Sequence, residues 1–111
     1  MTVDIDDTGG VPVARIKGEV DLKTSPRVRK ALLDVLKKRD TLIVDLSNVD
    51  YIDSSGVASL VEAYQTARKA GGQVSLAAVS QPALRVLQLA RLDQVLPIRD
   101  SIESASAEIA E

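Results

Sequence analysis

A chain of 111 residues with 14 basic and 16 acidic side chains, no cysteine and no histidine, has room for one domain but lacks the residues most catalysts use. Disulfides, thiolate and imidazole metal sites and the commonest general base are thereby excluded. A net charge of −2 and only two aromatic residues, Tyr51 and Tyr64, argue against direct nucleic-acid binding. Catalysis by carboxylates or lysine alone stays open, but the expectation is a domain without metal or cofactor that is not an enzyme; its 45% apolar residues, nearly all aliphatic, suffice for a core. The segment MTVDIDDTGG is acidic and has no apolar run of signal-peptide length, and no stretch nears the roughly 20 apolar residues of a membrane span. A cytoplasmic location without membrane insertion is therefore expected.

Val3–Asp6 and Val11–Lys17, separated by Asp7-Thr8-Gly9-Gly10, predict a β-hairpin. Gly18-Glu19-Val20-Asp21 then leads into a loop. Ser25 suits an N-cap and Pro26 the first helical position, and Val28, Ala31, Leu32, Val35 and Leu36 follow at helical spacing. The basic residues of this helix, Arg27, Arg29, Lys30, Lys37, Lys38 and Arg39, read as a solvated face, with a docking face as the alternative. Leu42–Val44 predicts a strand buried on both sides, and Ser47 to Ser54 a loop.

Val57, Leu60, Val61 and Tyr64 mark a second helix, closed by Gly71-Gly72. Val74–Val79 is a further strand. A third helix begins near Pro82, with Ala83, Val86, Leu87 and Ala90 at helical spacing and Leu84 and Leu89 widening its apolar face. Val95–Ile98 reads as a last short strand, where Pro97 suits only an edge, and Ser101 caps a terminal helix ending near Glu111. The order ββαβαβαβα predicts one α/β domain over residues 1–111, a mixed, mainly parallel sheet packed against helices.

The segment VDLSNVDYIDSSG, Val44 to Gly56, runs from the C-terminal end of a central strand into a helix, where open α/β sheets tend to place their sites. Asp53, Ser54 and Ser55 fall at the helix start, among unpaired backbone N–H groups. By themselves they read as a helix cap contributing about 1 kcal/mol. The longer string VDLSNVDYIDSSGVASL resembles the signature of the STAS domain, the family of bacterial anti-sigma factor antagonists and related modules. GEVDLKTSPRVRKALLDVL resembles the second strand and first helix of that family, and LRVLQLARLDQVLPI its third helix and last strand. The likeness covers nearly the whole chain, in order.

In such antagonists the serine just before the motif glycine is phosphorylated by a kinase that doubles as the anti-sigma factor. The resemblance therefore implies phosphorylation at Ser55, with Ser54 as second choice. It also implies a partner surface of Asp21, Asp53, Ser54, Ser55 and Gly56 facing a kinase-type anti-sigma factor. A second role left open by the same resemblance is a cytosolic accessory subunit of an ABC-type lipid transport complex, with the transporter ATPase as partner. The chain departs from the family at Ala90-Arg91, where Thr-Gly is common. A positive φ at that position would cost Arg91 about 1–2 kcal/mol.

Overall fold

The computed structural model describes residues 1–7 and 10–110; Thr8 and Gly9 of the expected hairpin turn, and Glu111, lie outside the described residues. Five strands form one sheet in chain order: β1 (Thr2–Asp6), β2 (Val13–Val20), β3 (Thr41–Ile52), β4 (Gln73–Ala77) and β5 (Ile98–Arg99). β1 runs antiparallel to β2, and every later pairing is parallel. Parallel neighbours need crossovers, which α1 (Ser25–Leu36), α2 (Ser54–Lys69) and α3 (Gln81–Leu89) supply. α4 (Ile102–Ala110) follows β5. The single α/β domain and the order ββαβαβαβα are as predicted, with a short 3₁₀ turn, Leu92–Gln94, added before β5.

The two sheet faces are covered unequally. Val28, Leu32 and Leu36 of α1, Leu60, Ala63 and Ala67 of α2, and Ala83 and Leu87 of α3 join Leu42, Val44 and Leu76 in the main core. Ala105 of α4 meets Val13, Ile43 and Ala77 in a smaller cluster on the opposite face. Helices on both sides explain why Leu42, Ile43 and Val44 are wholly buried in succession, as the unbroken apolar run predicts. Leu89, expected to widen the core face of α3, is instead exposed.

Four boundaries differ from the sequence reading, each for a physical reason. The expected loop Ser47–Ser54 is largely strand, because β2 extends to Val20 and pairs with it, Lys17 against Asn48 through Val20 against Ile52. Register shifts within that ladder place extra residues on β3, so its buried side chains, Leu46, Val49 and Ile52, recur every third residue. Ser25 is the first helical residue of α1, with Thr24 before it; the Thr24 hydroxyl donates to the carbonyl of Glu19, 2.9 Å, instead of capping the helix. β4 ends at Ala77, where Ala78 turns to φ +51°. Finally, the strand expected at Val95–Ile98 shifts to Ile98–Arg99, since Val95 and Leu96 donate backbone bonds to the Leu92 carbonyl inside the 3₁₀ turn.

At the end of α2, Gly71 adopts φ +83° and the Gly72 N–H closes on the carbonyl of Ala67, as the glycine pair predicts. Arg91 takes φ +59°, the left-handed conformation that the Ala90-Arg91 departure makes costly. The basic residues of α1 are interleaved with acids: Lys30 and Lys37 pair with Asp34, Arg29 with Glu62, and Arg39 with Asp7. That pattern fits the solvated face better than a cationic docking strip.

Candidate functional site

Two neighbouring loops at the C-terminal ends of β2 and β3 bring Asp21 and Asp53 to the same end of the sheet. The Asp53 N–H donates to the Val20 carbonyl, 3.1 Å, which continues the β2–β3 ladder one residue into the loop. Asp53 then caps α2. Its Oδ1 accepts from the backbone N–H groups of Ser55, 2.9 Å, and Gly56, 3.2 Å. The same oxygen accepts from the Ser55 hydroxyl at 2.5 Å, which fixes that hydroxyl's orientation. This side-chain bond is the main reason the Asp53 carboxyl sits below its usual pKa, with the N–H groups of Gly56, Ser55 and Leu22 adding to it.

Ser54 is the first helical residue and exposed, whereas Ser55 is half-buried against the α1–α2 groove. Gly56 is buried, and its importance is spatial. A Cβ there would lie 2.6 Å from Ile52 Cγ1 and 2.7 Å from Val20 Cγ1. Only glycine lets the first turn of α2 sit so close to β2 and β3, so Gly56 sets where the Ser55 hydroxyl stands.

Asp21 is placed beside this cap but is busy with its own loop. Its Oδ1 accepts from the N–H groups of Lys23, 2.9 Å, and Thr24, 3.1 Å, and from the Thr24 hydroxyl, 3.1 Å. The five expected site residues thus gather at one end of the sheet, Asp53, Ser55 and Gly56 in direct contact at the start of α2 and Asp21 in the loop after β2. Two residues there escaped the sequence reading. Leu22, 76% exposed, and Tyr51, 49% exposed, are large apolar side chains on the same two segments. Leu22 stands between polar residues with no periodic partner, and that isolation was its only signal.

Chemically, the site offers a hydroxyl that donates a hydrogen bond to a carboxylate at the start of a 16-residue helix. An anion attached there would meet the positive end of the helix dipole. Among the described residues no three His, Cys, Asp or Glu side chains converge as metal ligands, and no helix is long and apolar enough to cross a membrane.

Comparison with known proteins gives a consistent result. The STAS domain model matches residues 2–105. The chain is 27% identical over 111 residues to an anti-sigma F factor antagonist of Paenibacillus polymyxa, covering 98% of this chain and 95% of that protein. It is 31% identical over 108 residues to the anti-sigma-F factor antagonist RsfB of Mycobacterium tuberculosis, covering 95% and 86%. Among solved structures, an anti-sigma factor antagonist from Mycobacterium paratuberculosis superposes with a TM-score of 0.88 at 28% identity, covering 99% of this chain and 94% of that one.

Proposed function

The chain belongs to the STAS domain family, and from that premise we propose that it is an anti-sigma factor antagonist switched by phosphorylation of Ser55. In the unmodified state it binds a kinase-type anti-sigma factor and so frees a sigma factor. Ser55 Oγ then attacks the γ-phosphorus of the kinase's nucleoside triphosphate. A new P–O bond forms, the bond from that phosphorus to the β–γ bridging oxygen breaks, and the diphosphate leaves. The proton of the Ser55 hydroxyl, which at the outset is hydrogen-bonded to the Asp53 carboxylate, passes to a base of the kinase or to solvent.

The observation that carries this reading is the fixed Ser55 hydroxyl, half-accessible at the start of α2 and bonded to Asp53 at 2.5 Å. The relatives, named as antagonists of anti-sigma factors, supply the partner class. Inactivation follows from charge. A phosphate adds about −1.5 to −2 charges beside Asp53, next to a loop whose exposed Leu22 favours desolvated contact. The fold tolerates the phosphate because it sits at a helix N-terminus.

The test is recovery of partners from native lysate, followed by incubation with the recovered kinase and ATP and mapping of the phosphate by mass spectrometry. The expected result is a soluble kinase, with phosphate on Ser55. Ser55→Ala should bind and resist inactivation, while Ser55→Asp should fold and bind weakly. Phosphate confined to Ser54, or recovery of an ABC ATPase with its permease, would overturn the proposal.

A further inference from the structure

Ser55 lines a groove of about 280 Å³ between α1 and α2, whose other walls are Ser25, Pro26, Ala58, Ser59 and the pair Arg29 and Glu62. Ser55, Ser59 and Glu62 follow one another along α2, while Ser25, Pro26 and Arg29 do so along α1. Ser59 joins the helices near the middle, its hydroxyl lying 3.1 Å from the Ser55 carbonyl and 3.4 Å from that of Ser25. Arg29 is the one cationic residue in the lining. In the unmodified protein the Arg29 guanidinium reaches across the groove to Glu62, about two turns beyond Ser55 on α2. Helical side chains tend to lean toward the N-terminus of their helix, which leaves the flexible Arg29 stem free to swing up the groove toward the end where Ser55 lies.

We infer that Arg29 is the internal counter-ion of a phosphate on Ser55, leaving Glu62 for the phosphate once Ser55 is modified. The inference rests on the reading of Ser55 as the modified residue. Two features drive the exchange. Phosphorylation removes the hydroxyl proton that bonds Asp53 and places a second anion where Oγ and Oδ1 are 2.5 Å apart, so the phosphate turns away from Asp53 into the groove. The existing partner of Arg29 is also weak competition. Nε of Arg29 lies 2.5 Å from Glu62 Oε2, yet that solvent-shielded oxygen receives no aligned hydrogen bond, and both side chains are about half exposed. A phosphate offers the guanidinium a dianion and two parallel bonds. The latch holds the modified state folded. Because one guanidinium offsets only about one of the roughly −1.5 to −2 charges of the phosphate, the site as a whole is still more anionic than before.

The test does not need the kinase, so its failure is separable from failure of the switch assignment. Phosphoserine is installed at position 55 by genetically encoded incorporation in the wild type, Arg29→Gln and Glu62→Gln. The change in melting temperature caused by the phosphate is read for each, and the Arg29 Nε–H resonance is followed by 15N NMR. The Arg29→Gln phosphoform should melt lower than the wild-type phosphoform, relative to its own unmodified parent, by about 4 °C or more. In Glu62→Gln, where Arg29 has no competing carboxylate, the phosphate should be at least as well tolerated as in the wild type. The Nε–H signal should shift on modification. Equal phosphate effects in all three proteins, or an unmoved Arg29 signal, would overturn the inference.

Discussion

Gly56→Ala tests whether the position of the Ser55 hydroxyl is set by packing. The new methyl would stand 2.6 Å from Ile52 Cγ1 and 2.7 Å from Val20 Cγ1, against about 3.5–4.0 Å for a comfortable carbon contact. Each neighbour must therefore yield by about 1 Å, and both are buried, 3% and 1% exposed, in a close-packed core. Overpacking of this kind costs about 1–3 kcal/mol. Alanine's better helix propensity returns less than about 1 kcal/mol. The expected net loss is about 1–2 kcal/mol, measured by urea unfolding followed by far-UV circular dichroism. Val20→Ala removes one of the two clashes, so the double variant should lose less than the sum of the single changes, by about 0.5 kcal/mol or more. A Gly56→Ala protein as stable as the wild type, or strictly additive losses, would refute the argument.

Asp53→Asn should cap α2 nearly as well at neutral pH, within about 0.5 kcal/mol, yet reduce phosphorylation or partner binding about tenfold, as measured by kinase assay and calorimetry. The folded-state pKa of Asp53 is depressed, so its stabilisation is present above the ordinary carboxyl value of 3.8 and is lost as pH falls through the lowered folded value. Wild-type stability should accordingly fall relative to Asp53→Asn on acidification through that window, checked by urea unfolding between pH 5 and pH 2. Arg91→Gly should raise stability by about 1 kcal/mol in a thermal melt, by relieving the φ of +59°. Gly72→Ala should be among the most damaging single changes, since its Cβ would fall 1.8 Å from the Asp40 carbonyl oxygen; expression with a large drop in urea midpoint, or no soluble protein, is expected.

The helices were legible because their apolar positions repeat with helical spacing and their ends carry recognisable residues: Ser101 caps α4 through the Ser104 N–H, and Gly71 and Gly72 close α2. The second half of β3 was hidden for an equally definite reason. Its register shifts bury every third residue, and the intervening Ser47, Asn48 and Asp50 are turn formers, so no alternation marks a strand. The 3₁₀ turn was invisible because it depends on Arg91 adopting a conformation that its side chain disfavours. At the site, the sequence placed Asp53 and Ser55 at the helix start, but not the hydroxyl–carboxylate bond between them. Nor did it place Arg29 on the Ser55 groove, since that proximity comes from the packing of two helices separated by β3.

The two ends of the sheet have a bearing on solubility. A free strand edge is a template on which further chains can polymerise. β1 presents such an edge, but Asp4 and Asp6 interrupt its five residues with charge, and Ile5 remains the one large apolar side chain exposed along it. β5, at the other end, is two residues long, and its Arg99 is tied to Glu108 of α4. Neither margin offers a long, flat, apolar strand to a second copy. Aggregation-promoting substitutions should therefore concentrate at Asp4 and Asp6, where loss of charge would leave β1 unguarded.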